Sequence, residues 1–194
     1  MNGFERRKQQ KTISILEGAL TLFMKFGIKK VSIAEIARKA NVSQVTIYNY
    51  FGSKNELTDE VIRFYIEKTW DETEELLTSD LPFPDKIQQL IFSKKQTADE
   101  MNENFYQEFM MEYGTGNNYL EEFYTNKALP KMMELFDEGK RQGYVDPSIS
   151  NESILLYIQI FKEQMQREDI YSQLLPLTEE ITKLFFYGIL GKRN

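Results

Sequence analysis

The chain contains neither cysteine nor histidine among its 194 residues. The missing cysteine excludes disulfides and thiolate nucleophiles, and the missing histidine excludes imidazole base catalysis and Ser-His-Asp triads. Cys/His zinc sites are excluded by both absences. No GxxxxGK or GxGxxG phosphate loop is present, and adjacent acid pairs such as Glu74/Glu75 point about 100° apart on a helix. We therefore expect no enzyme, no catalytic residue, no metal site and no cofactor.

Long apolar runs are also scarce. The longest, LFFYGIL near the C-terminus, is far too short to span a bilayer. The basic start MNGFERRKQQK is not followed by the apolar segment of a secretion signal. At 41% hydrophobic and 28% charged residues, the composition is typical of a soluble globular protein. The sequence predicts a protein of a reducing cytoplasm, without membrane contact.

Acidic residues are few in the first quarter of the chain. Residues 1–55 contain ten Lys and Arg but only three acids, so their net charge is +7. The remainder of the chain has a net charge of −13, and the whole chain has −6. A basic segment on an acidic body indicates that the N-terminal part binds a polyanion. The alternative is a solvated charged surface in which the basic residues cluster by chance.

Apolar residues recur at helical spacing almost throughout, and no run alternates long enough for a strand, so we predict an all-α fold. The first helix covers about residues 5–26, and Gly27 follows as a left-handed C-cap. Its predicted apolar stripe consists of Ile13, Leu16, Leu20, Phe23 and Phe26.

Two short helices follow, joined by the tight connection NVS. Ser32 and Glu35 form a capping-box pattern at the start of the second helix, and Ser43 caps the third, QVTIYNYF, which Gly52 ends. Ser53 caps a long fourth helix. This order predicts a helix-turn-helix with a small apolar core of Ala37, Val42 and Ile47.

The third helix should expose a face that contains no carboxylate. Helical spacing places Gln44, Val45, Tyr48 and Asn49 opposite the side that bears Ile47 and Phe51. A helix that reads DNA needs side chains that hydrogen-bond to base edges and phosphates. The alternative is an ordinary surface helix within a larger bundle.

Downstream, the helical pattern is interrupted at a few places. Breaks are predicted at Pro82 and Pro84, at 114–118 and at 142–148. Pro130 should kink or interrupt a helix, because proline lacks an N–H donor. Pro176 suits the first turn of a last helix that ends near Gly191.

Residues 10–57 closely resemble the tetracycline-repressor (TetR) family of bacterial transcription regulators. The matching features are the aromatic-x-x-aromatic-Gly end of the first helix, the Ser32, Ile36-Ala37 and Val42-Ser43 positions, and the signature of Tyr48, Phe51 and Lys54. The resemblance implies an N-terminal three-helix helix-turn-helix DNA-binding domain, residues 1–55. It further implies a C-terminal helical domain for ligand binding and dimerisation, residues 56–194.

The resemblance assigns expected roles at the duplex. Helix starts would bind phosphates, Gln44 and Thr46 would contact bases or the adjoining backbone, and the tyrosines and Lys54 would contact phosphates and sugars. Val45 and Asn49 depart from the commonest family pattern, so operator choice should depend on them. The expected DNA-binding residues are Ser32, Ser43, Gln44, Val45, Thr46, Tyr48, Asn49, Tyr50 and Lys54.

Family members bind DNA as homodimers, with recognition helices about 34–36 Å apart. The resemblance places the dimer interface on the last two helices. The expected residues are Ile154, Ile158, Phe161, Met165, Ile181, Leu184, Phe185 and Gly188. The alternative, that these stripes face the core of their own domain, is compatible with the same pattern.

The resemblance also implies a small-molecule effector, apolar or cationic, bound between about residues 57 and 150. The expected ligand-binding residues are Trp70, Phe105, Phe109, Glu112 and Tyr113. Glu112 falls within an apolar helical stripe, where a carboxylate needs a partner. That partner is either a residue of this chain or a cationic ligand.

The expected function is that of a ligand-responsive repressor, which binds a palindromic double-stranded operator and is released by the effector. The alternative is a ligand-independent or partner-recruiting DNA-binding protein with the same N-terminal module. Either would act in the bacterial cytoplasm, at the nucleoid when bound to DNA.

Overall fold

The computed structural model describes residues 3–114, 118–165 and 167–189, without the side chains of 4, 112–114, 118, 168, 171, 172 and 189. These residues form helices and connecting turns, and no strand occurs among them. The all-α prediction is thereby confirmed. The α-helices are α1 (Gly3–Phe26), α2 (Ile33–Lys39), α3 (Gln44–Phe51), α4 (Lys54–Thr78), α5 (Phe83–Glu100), α6 (Glu103–Gly114), α7 (Asn118–Phe123), α8 (Leu129–Arg141), α9 (Asn151–Met165), α10 (Glu168–Leu174) and α11 (Thr178–Ile189).

The chain divides into two compact units. The N-terminal unit contains the chain up to Thr69 together with Met101–Phe109, and the C-terminal unit contains Trp70–Glu100 and the chain from Met110 onward. The first part of α6 thus belongs to the N-terminal unit and its last part to the C-terminal unit. The boundary between residues 55 and 56, drawn from the end of the helix-turn-helix pattern, stays a prediction.

The N-terminal unit is built on one face of α1. Its buried residues are Ile15, Leu16, Ala19, Leu20 and Phe23. Ile13 and Phe26, the two ends of the predicted stripe, are 39% and 44% exposed. The spacing of apolar residues shows which face of a helix is buried, but not how far along the helix other elements pack against that face. The core also contains Phe105 of α6, which is fully buried.

Caps at the helix ends confirm the predicted boundaries. Ser32 and Glu35 form both hydrogen bonds of a capping box, and the Ser43 hydroxyl accepts from the Thr46 N–H at 3.0 Å. Gly27 and Gly52 have φ of +85° and +78°, which other residues adopt only with strain. Each Ser cap contributes about 1 kcal/mol, so α2 and α3 begin where the sequence predicts.

The C-terminal unit has a core of its own. Its buried residues are Trp70, Leu77, Phe83, Ile87, Leu90, Ile91, Leu135, Phe136, Val145, Ile154, Ile158 and Phe186. Gly139 lies at a close approach in this core, because a Cβ there would be 2.7 Å from both Phe83 Cε2 and Val145 Cγ2. In the same unit, the buried Lys86 pairs with Glu138 at 2.8 Å.

The two prolines within helical stretches are accommodated by changes of helix type. Tyr124–Ala128 form a π-helical segment directly before Pro130, and the Leu129 N–H donates to the Tyr124 carbonyl. A π-turn of this kind interrupts the regular ladder where proline offers no donor. Pro176 lies in a 3₁₀ turn, Leu175–Leu177, rather than in the first turn of α11, which begins at Thr178.

Candidate DNA-binding surface

Helices α2 and α3 cross over a small apolar centre. Ala37 and Ile47 are 4% and 0% exposed, and the half-buried Val42 packs against the same core. The Val42 N–H donates to the Ala37 carbonyl at 2.9 Å, and Asn41 adopts the left-handed region with φ of +54°. The connection is therefore a tight turn that fixes the angle between the two helices.

With Ile47 turned inward, α3 presents its opposite face to solvent. Gln44, Val45, Tyr48 and Asn49 are all exposed, with Val45 at 66% and Tyr48 at 48%. The helix contains no charged residue, so nothing on it repels a phosphate backbone. This face combines amide and phenol groups, which hydrogen-bond to base edges and phosphates, with one apolar side chain suited to a thymine methyl group.

The capping hydroxyls lie at the exposed starts of α2 and α3. The Ser43 hydroxyl is 2.9 Å from that of the half-buried Thr46. The Ser32 hydroxyl donates to the Glu35 carboxylate at 2.7 Å, and this bond, with that from the Ser32 N–H, lowers the pKa of Glu35. A charged carboxylate therefore lies beside the position where Ser32 is expected to contact a phosphate. The phosphate contact of Ser32 stays a prediction. The phosphate or sugar contact of Tyr50, which is half-buried, also stays a prediction.

Lys54 makes a contact that the sequence did not indicate. Its ammonium group donates to the Ile28 carbonyl at 2.9 Å, which connects the start of α4 to the turn between α1 and α2. The side chain is half-buried. A phosphate contact by Lys54, expected from the family pattern, would have to share the ammonium group with this carbonyl.

Glu108 of α6 binds the same turn from the other side. Its carboxylate accepts from the Ile28 N–H at 2.5 Å and from the Lys29 N–H at 3.4 Å. The positive φ of Gly27 is needed here as well, since a Cβ at this position would be 2.9 Å from Asn104 Cβ. No local signal in the sequence indicated that Glu108 has its partner 80 residues earlier in the chain.

The expected ligand-binding residues belong to different units. Phe105 is fully buried in the N-terminal unit, where its ring and that of Phe109 contact Tyr65 at 6.0 and 5.7 Å. Trp70 is buried in the C-terminal unit, stacks edge-on against Phe123 and donates from its indole N–H to Glu74 at 3.0 Å. The side chains of Glu112 and Tyr113 lie outside the described residues. Ligand contact by these five residues stays a prediction.

The expected dimer residues divide into buried and exposed sets. Ile154 and Ile158 are 1% and 4% exposed in the core of the C-terminal unit, so little of either side chain is available to a partner. Half-buried Phe161, Met165, Ile181 and Phe185 extend this inner side, and the ring of Phe185 lies 5.2 Å from that of Phe161. Leu184 is 66% exposed, and Gly188 is exposed beside it.

An exposed apolar face of α9 lies opposite its buried stripe. Leu156 and Ile160, one helical turn apart, are 59% and 50% exposed. On α11, Tyr187 is 54% exposed next to Leu184. Of the dimer residues predicted on α9, Ile154 and Ile158 therefore face the core, and the outer stripe of Leu156 and Ile160 is the more exposed one. The dimer interface itself stays a prediction.

The described part of the chain offers no group of three Asp or Glu residues that could hold a metal ion. Nor does any helix among the described residues have the length and apolarity needed to cross a membrane.

Comparison with known proteins finds a family match within the N-terminal unit. Residues 15–61 match the family described as "Bacterial regulatory proteins, tetR family". The HTH-type transcriptional regulator YhgD of Bacillus subtilis is 33% identical over 79 residues, 41% of each chain. The HTH-type transcriptional repressor KstR2 of Rhodococcus jostii is 24% identical over 92 residues, 47% of this chain and 45% of that protein. The chain thus spans less than half the length of these two relatives.

A solved structure matches over most of the chain. The fatty acid degradation regulator FadR of Bacillus halodurans superposes with a TM-score of 0.61, covering 94% of this chain and 97% of that one at 19% identity. At this identity the likeness concerns the fold alone. The matched proteins are named as regulators or repressors, not as enzymes.

Proposed function

Because residues 15–61 match the TetR family of bacterial regulatory proteins, we propose that this chain binds a palindromic DNA operator as a homodimer. It represses transcription until a small molecule releases it. The observation that supports this most directly is the exposed face of α3. Four neutral side chains capable of reading a duplex point outward from a helix that contains no acid.

Charge supports the choice of DNA as the partner. Lys25, Lys29, Lys30, Arg38 and Lys39 are all exposed in the N-terminal unit. Lysine and arginine that replace counterions along the phosphate backbone supply most of the non-specific affinity for DNA. The side chains on α3 then select the sequence, because base edges differ in donors and acceptors in the major groove.

Repression is favoured over activation because a repressor needs only to occupy its site. A protein named as a repressor is among the relatives that match part of this chain. The homodimer is favoured because the exposed apolar face of α9 and α11 is suited to a second copy, and two copies double the number of bases read.

The response to an effector is proposed to pass through Glu108. A ligand can shift the DNA-binding equilibrium only if it binds one state of the protein more tightly than the other. Residues 103–109 of α6, with Met101 and Asn102 directly before the helix, belong to the N-terminal unit. A ligand that moves α6 would withdraw the Glu108 carboxylate from the turn that precedes α2, and the Asn102 N–H from the Met24 carbonyl, which it contacts at 2.8 Å.

The recognition face can be tested by replacing Gln44 with alanine. We expect the loss of about 1–3 kcal/mol of operator binding and a relaxed preference at one base pair, because a bidentate amide contact is lost. Gel shifts would use DNA flanking the protein's own gene, at rising salt. Gln9→Ala, an exposed glutamine on α1, is the control and should leave sequence preference unchanged. If the Gln44→Ala protein kept both the operator affinity and the base preference of the wild type, Gln44 would be removed from the proposed reading face.

The role of Glu108 can be tested by alanine replacement. Glu108→Ala should lower the free energy of unfolding by about 1–3 kcal/mol, because the buried Ile28 N–H loses a charged acceptor. Amide hydrogen exchange at Ile28 and Lys29 should become faster. Glu103→Ala, an exposed carboxylate on the same helix, is the matched control and should change neither quantity. Unchanged exchange at both amides in the Glu108 variant would contradict the proposed link.

A further inference from the structure

The first three turns of α1 lie outside the core of the N-terminal unit. The helix begins at Gly3, yet among its described side chains the first buried one is that of Ile15. The segment between them is about 18 Å long and includes four basic residues, all exposed: Arg6, Arg7, Lys8 and Lys11. Its one acid is Glu5. Neither the α2–α3 module nor the core of the unit accounts for this basic segment.

Contacts further along α1 show which direction the segment takes. The Ser14 hydroxyl donates to the Ala40 carbonyl at 3.5 Å. Four residues later, a Cβ on Gly18 would lie 3.3 Å from Lys39 Cγ and 3.5 Å from Ala40 Cβ. This face of α1 therefore packs on the end of α2, where the turn into α3 begins. The turns before Ser14 extend past that point.

Arg7 and Lys11 lie on the same face as these contacts. Gly18, Ser14, Lys11 and Arg7 are separated by four, three and four residues. At 100° per residue, all four fall within about 60° of the helix circumference. Arg6 and Lys8 point away from this stripe. Lys39, exposed at the end of α2, continues the line of charge. We call Arg7, Lys11 and Lys39 the α1 basic stripe.

We propose that the α1 basic stripe is a second DNA contact, which binds backbone phosphates outside the base pairs read by α3. The stripe begins at Lys39, the last residue of α2, five residues before Gln44 starts α3, so it is continuous with the surface proposed to bind DNA. Arginine and lysine on successive turns suit a row of phosphates. The stripe adds affinity without sequence preference, since phosphates are the same in every sequence. The inference rests on the proposed function.

The experiment measures how the DNA-binding constant depends on salt for the full-length protein. Each neutralised phosphate contributes about 0.9 to the slope of log K against log salt. Arg7→Gln/Lys11→Gln should reduce the slope by about 3.5 for a dimer. Between 50 and 200 mM salt, the wild type should therefore lose about 100-fold more affinity than the variant. The reduction should be the same on operator and unrelated duplexes.

The matched control is Arg6→Gln/Lys8→Gln, which removes the same charge from the same turns but off the stripe. Its slope should stay close to that of the wild type. A second control shortens the duplex to the base pairs under the two α3 helices, and the difference between wild type and the Arg7/Lys11 variant should then disappear. Arg7→Lys/Lys11→Arg should retain the full slope. Both positions are exposed, so we expect circular dichroism melting curves to be unchanged.

The outcomes separate this proposal from the one on which it rests. If the wild type binds no DNA, the proposed function fails. If it binds, but the two double variants have equal slopes, the stripe is not a DNA contact and the function of α3 stands. Binding to phosphatidylserine vesicles that requires Arg7 and Lys11, with unchanged DNA slopes, would also overturn the proposal in favour of a membrane surface.

Discussion

Leu156→Asp combined with Leu184→Asp should convert the protein into a monomer and lower operator affinity by about 10²–10⁴-fold. The two leucines are 59% and 66% exposed on α9 and α11. In a dimer seam, each aspartate would be buried without a partner, which is costly enough to dissociate the copies. A monomer binds one half-site at a time and loses the effective concentration of the second recognition helix. Light scattering after size exclusion and titration of a two-half-site duplex measure the two effects.

Phe92→Asp is the matched control for this change. Phe92 is 67% exposed on α5, so the same acid is introduced at an equally exposed apolar position on another helix. This variant should remain a dimer with unaltered operator affinity. A dimeric Leu156→Asp/Leu184→Asp protein would contradict the seam, and a monomeric Phe92→Asp protein would move it to α5.

Lys86→Met should lower the free energy of unfolding by about 3 kcal/mol. The Lys86 side chain is 4% exposed and donates to both the Leu77 carbonyl at 2.9 Å and the Glu138 carboxylate at 2.8 Å. Methionine fills the same volume but leaves a carboxylate and a carbonyl without their donor. Glu138 is 22% exposed and also accepts from Gln142, so the expected loss is at the lower end of the range for a broken buried pair. Urea unfolding measures it.

The double variant Lys86→Met/Glu138→Met distinguishes the ion pair from simple packing. It should be more stable than Lys86→Met alone, because no charge is left unpaired when both partners are apolar. Losses that add across the two single variants would show that the pair is not coupled. Lys131→Met, which breaks the pair of the half-buried Lys131 with the exposed Glu134, should have a far smaller effect, because solvent screens that pair.

The helix-turn-helix could be predicted residue by residue because its signals are local. The capping box of Ser32 and Glu35 spans three residues, and the positive φ of Gly27 and Gly52 is required by the backbone at those positions. The outward direction of Gln44 and Val45 follows from the burial of Ile47 at helical spacing. The family resemblance, read from the same residues, is confirmed by the match over 15–61.

The interface helices could not be predicted in the same way. Helix α9 has one apolar stripe through Ile154 and Ile158 and another through Leu156 and Ile160. Either could face the core, and the spacing does not distinguish them. Packing against the aromatic rings of α11 determines which stripe faces the core, since Tyr157 and Phe161 both contact Phe185.

The sequence by itself determined the all-α class, the positions of α1 to α4, the exposed face of α3 and the exclusion of cysteine and histidine chemistry. All of these depend on composition or on interactions within about four residues along the chain. Only the tertiary structure decided that Glu108 binds the turn at Ile28, that Lys54 donates to the Ile28 carbonyl and that Arg7 and Lys11 share the face of α1 that packs on α2. These contacts join residues 26 to 80 positions apart, or depend on which helix packs beside another. Side-chain charges of this kind find their partners only after the helices have packed, so no spacing along the chain could indicate them.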